Sequence, residues 1–349
     1  MNQALVDQIV QAVLYEGYIL YPYRASIKNR QRWTFGGLYP EPYCREQNGA
    51  DLSSNQTECL LRAGRDAMLE VTVRFLHLME RTVGAVTSRS AVVEIDFRPV
   101  ESLEIGGRTY RSWQEAEVRE VELPALSLKK LLISAEVHTF SWPDRQWLEP
   151  LRGPAGDIEG ALARAQRAVA GAVTVGAVEC DEGLFKISVR VANHTPLEPS
   201  SVSGRDQALL RTLVSSHTVL QVTGGEFVSL TDPPEDCVRW AAECKNIGVW
   251  PVLVGAAGSH SAMLASPIIL PDHPQIAAES PGDLFDGTEI DEILTLRILT
   301  LTEEEKRAAA ALDERSRGLL MRTEALAREQ LHGLHGVLRT PHPSGGLAR

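Results

Sequence analysis

The chain has 349 residues, of which 44% are hydrophobic and 23% charged, and its net charge is −11. This composition belongs to a folded protein with a sizeable core and excludes a disordered chain. The acidic balance argues against sequence-independent nucleic-acid binding and against an anionic membrane surface, because both need Lys and Arg to neutralise phosphate.

Residues 1–17, MNQALVDQIVQAVLYEG, carry no basic leader and interrupt their apolar residues with Gln and Asp, so they do not read as a signal peptide. Leu5, Ile9, Val10, Val13 and Leu14 fall close to helical spacing and predict a short helix. From about Gly17 to Val191 the pattern is mainly that of strands, with alternation in VVEIDF (92–97) and EAEVREVEL (115–123). Gly106-Gly107, Asp181-Glu182-Gly183 and Gly224-Gly225 each predict a hairpin turn, since glycine accepts the positive φ that tight turns require. ALARAQRAVAG (161–171) is helix-permissive by propensity, whereas the following AVTVGAVEC fits a strand.

Residues 205–214 and 234–244 predict short helices. Thr302-Glu303-Glu304-Glu305 forms a capping box that opens a long helix to about Leu338. Leu312, Leu319 and Leu326 give that helix a narrow apolar stripe suited to the protein body or to a second copy of the chain. The expected fold class is α+β: mainly antiparallel β-sheet, sandwich-like, with short helices and a long C-terminal helix. Composition shifts at 143–160 and 194–204 suggest a β-rich region over 1–195 and an α+β region over 196–338, in two domains or one continuous one, before a disordered tail at 339–349. No apolar run reaches the roughly 20 residues of a membrane helix. Five cysteines without a CxxC pair fit a reducing cytoplasm.

Two segments carry most of the chemistry. The first, residues 21–44, joins Arg24, Lys28, Asn29, Arg30 and Arg32 to Tyr21, Tyr23 and Trp33, a mixture suited to gripping a protein partner or an anion. The second follows Pro271 and sets Glu279, Asp283, Asp286, Glu289, Asp291 and Glu292 among helix breakers, as an acidic dock for a partner. The two segments also suit each other, basic against acidic. His273 with Glu279, Asp283 and Asp286 offers a ligand set for a divalent metal, although the spacing matches no defined metal loop. Cys237 and Cys244, seven apart, suit core packing better than ligation with His217 or His260. Ser259 beside His260 has no nucleophile elbow and no third member for a triad.

YEGYILYPYRASIKNRQRWTFGGLYP (15–40) and SPIILPDHPQIAAESPGDLFDGTEIDEILTLRILTLTEEEK (266–306) resemble an uncharacterised bacterial family. Its members are encoded in gene clusters of high-affinity, actinobacterial-type uptake NiFe hydrogenases. The resemblance implies an accessory role in assembly, metal delivery or maturation of such an enzyme, and implies no catalytic residue. The chain lacks the paired cysteines or His-rich tract of a metal carrier, which favours a factor that grips its partner through surfaces. The leading expectation is therefore a cytoplasmic, non-catalytic assembly or maturation factor without a cofactor. A metal-dependent enzyme using the site at 272–292 on an anionic small molecule is the competing reading, and a stable structural subunit is the third.

Overall fold

Residues 54–86 run as one unbroken strand of 33 residues, and most of the other described strands are placed by pairing with it directly or through one neighbour. The computed structural model describes residues 3–16, 36–47, 51–87, 96–197 and 204–275. Helices α1 (Gln3–Glu16) and α2 (Glu41–Glu46) precede the long strand β1 (Ser54–Val86). There follow β2 (Phe97–Val100), β3 (Ser102–Ile105), β4 (Arg108–Arg111), β5 (Trp113–Glu122), β6 (Leu126–Ser127) and α3 (Leu128–Leu131). Next come β7 (Glu136–Trp142), β8 (Arg145–Arg152), β9 (Ile158–Gln166), β10 (Val169–Asp181) and β11 (Leu184–Asn193). The described part ends with α4 (Arg205–Leu209), β12 (Val214–Val228), α5 (Val238–Ala242), β13 (Trp250–Leu253) and β14 (Ala262–Ser266).

Every ladder between these strands is antiparallel. Along one edge β1 pairs with β11 over 54–62, then with β5 over 72–81; along the other it pairs with β12 over 60–76, then with β9 over 79–85. The ladders β7–β10 and β8–β9 share one register, Trp142 opposite Val169 and Arg145 opposite Gln166, so together they form a single long hairpin. Its inner strand pairs with β11 through β10 and with β1 through β9. The path β1–β11–β10, continued along the chain into β9, thus returns to β1, and the sheet closes around one core. Strands on both sides of residue 195 belong to it, since β1 pairs with both β11 and β12.

Alternation decides what fills the closed sheet. Leu69, Val71, Val73 and Phe75 of β1 point inward with Val173 and Val175 of β10, Ile187 and Val189 of β11, and Leu220 and Val222 of β12. Phe75 meets the rings of Phe140 and Trp142 at 6.0 and 5.7 Å. On the opposite face lies α1, whose Val6, Ile9, Val10 and Val13 pack on Val219, Val252 and Leu264. That is the i, i+3, i+4, i+7 stripe of an amphipathic helix, and burying it is what makes so short a helix stable.

The expected α+β class is corrected to a mainly β fold. Fourteen strands and five helices occur among the described residues, and every helix but α1 spans six residues or fewer. The long helix expected from Thr302 and the tail lie outside the described residues. Residues 161–166, read as helix by propensity, form β9 and are paired on both edges. The small side chains there serve close approach: a methyl on Gly160 would stand 2.3 Å from Leu103 and 3.0 Å from the Gly84 carbonyl. The predicted turn at Gly224-Gly225 is also corrected. Strand β12 runs straight through, and Gly224 (φ 80°) sits where β1 carries the extra residues 64–67 as a bulge. The turns at Gly106-Gly107 and Glu182-Gly183 are found as expected. Residues 143–160 form the long hairpin, not a linker. The helices read at 205–214 and 234–244 shrink to α4 and α5, because Val214 already enters β12.

Phe75 is fully buried at the centre of the aromatic group, where little can collapse into a vacated volume. Phe75→Ala should lower the unfolding free energy by about 3–5 kcal/mol, read from urea denaturation.

Candidate functional site

Beyond Phe75 the inward face of β1 changes character. His77, Met79 and Arg81 follow on alternate positions, before the interior turns wholly apolar at Val83 with Ile105, Leu151 and Leu162. Strand β5 brings Glu115, Glu117 and Arg119 to the same face, and β9 brings Arg164 and Gln166. Arg81 and Arg164 each donate to Glu115 at 2.7 Å, and Arg164 also donates to Glu149 at 2.7 Å. Arg119 donates to Gln166 at 2.9 Å, pairs with Glu117 at 2.9 Å and lies 5.2 Å over the Trp142 ring. The Gln166 amide in turn donates to Glu117. Removing these charges from water is costly, and the mutual hydrogen bonds offset that cost only because nearly every donor is taken. The layer is therefore a structural seam whose carboxylates and guanidinium groups are already committed to one another.

Two histidines are buried, His77 in this layer and His217 on β12. His77 Nε2 donates to the Arg167 carbonyl at 2.8 Å, and Arg119 stands 3.5 Å from Nδ1. Burial lowers the pKa of His77 to about 4 against the Arg167 hydrogen bond, and the charge of Arg119 lowers it further. His217 Nδ1 donates to the Ser215 carbonyl at 2.7 Å; burial lowers its pKa to about 4 as well. Both imidazoles are neutral at physiological pH.

The residues singled out in the sequence fall mostly elsewhere. Tyr21, Tyr23, Arg24, Lys28, Asn29, Arg30, Arg32 and Trp33 lie outside the described residues, as do Glu279, Asp283, Asp286, Glu289, Asp291 and Glu292. What the structure shows is where the flanking chain is anchored. Gly36 has φ 54°, and a methyl there would stand 2.3 Å from Cβ of Pro267. The chain just after Trp33 is thus pressed against the chain that leads to the acidic stretch. Leu38 is fixed beside it by backbone hydrogen bonds to Leu213 in both directions.

His273 is the one member of the suggested metal set that is described. Its neighbour Asp272 accepts the Leu253 amide at 2.8 Å through Oδ1, and Ser229 at 2.5 Å and Thr231 at 2.8 Å through Oδ2. The His273 amide donates to the Leu253 carbonyl at 2.8 Å, which ties residues 272–273 to the edge of β13. His260 comes close to His273, a neighbour that sequence spacing did not reveal. The signal available was only the breaker-rich setting of each, Gly258 before one and Pro271 and Pro274 around the other.

The remaining candidates resolve into packing. Cys237 is fully buried and accepts a hydrogen bond from Arg62 at 3.1 Å, while His217 lies apart on β12. Burial raises the thiols of Cys44 and Cys244, to about 11 and about 12, so neither is an activated nucleophile. Ser259 pairs with Ser261 at 3.2 Å and His260 with the Phe227 carbonyl, so these neighbours form no catalytic dyad. A cleft of about 420 Å³ beside α1 is lined by Asp7, Gln8, Gln11, Arg74, Val118 and Glu120. Arg74 bridges Asp7, at 2.9 Å, and Glu120, and so clasps α1 to the sheet. Among the described residues no three His, Cys, Asp or Glu side chains are grouped as metal ligands, and no helix is long and apolar enough to cross a membrane. No family model and no curated protein matches the chain.

The buried histidines set a pH dependence. Free histidine titrates near 6.5, whereas His77 and His217 take up a proton only near 4 in the fold. Their contribution is fully present above about pH 6.5. As the pH falls from there to about 4, the unfolded chain binds protons that the folded chain refuses, and stability is lost. Denaturation between pH 6.5 and 5 should show a slope approaching about 3 kcal/mol per pH unit for the pair, and His77→Gln with His217→Gln should flatten it.

Proposed function

We propose that this protein is a non-catalytic accessory factor of the cytoplasm that acts by binding a protein partner, and that the partner is a NiFe-hydrogenase subunit during assembly or maturation. The observation that carries this reading is the contact between Gly36 and Pro267. Gly36 follows the basic, aromatic segment 21–33 in the chain, and Pro267 precedes the acidic segment 279–292, so their contact supports a reading in which the two segments act together. A partner surface with both a basic and an acidic area would meet both segments together, and arginine with aromatic residues supplies the strongest contacts of such an interface. The resemblance of residues 15–40 and 266–306 to a hydrogenase-linked family supports the same reading and names the partner class. Five free thiols fit the reducing compartment.

The experiment is capture of partners by the tagged full chain from native cells, followed by mass spectrometry of the intact complex. A hydrogenase subunit or precursor should be recovered with the parent protein. Arg24→Glu and Trp33→Ala should each reduce that recovery about tenfold or more while leaving thermal stability unchanged. An equal fall in melting temperature in both variants would mark these residues as part of the fold, and a parent chain that captures no partner would end the proposal.

A further inference from the structure

We propose that His260 and His273 form a two-imidazole site for a divalent transition-metal ion such as zinc. The two rings meet edge to face with centres 6.3 Å apart. Two imidazoles bound through nitrogen to one zinc ion, at Zn–N of about 2.0–2.1 Å, place their ring centres about 5 to 6 Å apart.

Each histidine carries a feature that ring packing alone leaves unexplained. His260 Nδ1 stands 3.0 Å from the Phe227 carbonyl, which only accepts, so the proton of the neutral ring sits on Nδ1 and the lone pair is left on Nε2. A backbone carbonyl on the far nitrogen is the usual arrangement behind a metal-binding imidazole, because it sets both tautomer and ring orientation. His273 has φ 50°, a conformation that is unfavourable for a non-glycine residue and persists only where surrounding bonds over-determine it. Those bonds are the three accepted by Asp272 and the His273 amide to Leu253. The strain holds in place a ring whose Nδ1 is buried without a hydrogen-bond partner. Burying such an atom without a partner costs free energy, and coordination supplies the missing interaction.

Neither residue is fully buried, and two neutral nitrogen donors select a borderline ion over calcium or magnesium. The ion binds by displacing water, and no redox step is involved. The Asp272 oxygens are engaged by Leu253, Ser229 and Thr231, which makes Asp272 a positioning residue behind the site.

The test is calorimetric titration of the metal-free full chain with zinc, in parallel with thermal denaturation. One zinc per chain and a raised melting temperature are expected. His260→Asn keeps an amide donor for Phe227, and His273→Asn keeps a residue that tolerates positive φ. Each variant should fold and bind zinc at least tenfold more weakly. Imidazole nitrogen spectra of the parent chain provide a readout that needs no variant: zinc should shift two of the nine histidines, those of His260 and His273. No zinc uptake, unchanged binding in both variants, or shifts confined to other histidines would each overturn the site.

Discussion

The two-sided pairing of β1 is the constraint on which the rest of the structure depends. A strand of 33 residues exposes donors and acceptors on both edges, and almost all of them are matched by six other strands. Because β11 and β9 take opposite edges at its two ends, and are linked through β10, the sheet must curl. A flat arrangement would leave either the β9 or the β11 ladder unmade. The bulges at 63–68 and 74–76 let so long a strand bend without losing both partners at once.

The curl creates an interior of two kinds. Around Phe75 it is dry and apolar; beyond Phe75 it is a seam of Arg, Glu, Gln and His bonded to one another. Aliphatic contacts tolerate sliding, whereas an arginine that must meet two particular oxygens does not. Slipping β5 or β9 against β1 by one residue would turn Glu115 or Arg164 away from its partners and strand the others without compensation. The outer strand of the long hairpin is open on its far edge among the described residues. Pro143 and Pro150, together with Glu136, Arg145 and Arg152, leave it a poor template for a further strand.

Legibility in the sequence followed the range of the interaction. The α1 stripe, the alternation of β5 and the turns at Gly106-Gly107 and Glu182-Gly183 depend on neighbours a few residues apart, and all were readable. ALARAQRAVAG misled because alanine is both a good helix former and the residue that fits where strands crowd together. Choosing between the two needs Gly84 and Leu103, which are distant in sequence. Gly224-Gly225 misled for a related reason, since positive φ serves a bulge as well as a turn, and the bulge is set by the partner strand. Of the chemistry-bearing residues, His273 was visible at the start of a dense polar segment, but the approach of His260 was not.

The sequence by itself determined a globular, acidic, sheet-rich protein with one amphipathic N-terminal helix, because composition and period-two alternation are local properties of the chain. Only the tertiary structure decided that the sheet closes and that charged residues line part of its interior. It alone brought Gly36 against Pro267 and His260 against His273. Each of these rests on contacts between residues tens to hundreds of positions apart, and no local pattern specifies which distant partner a residue will meet.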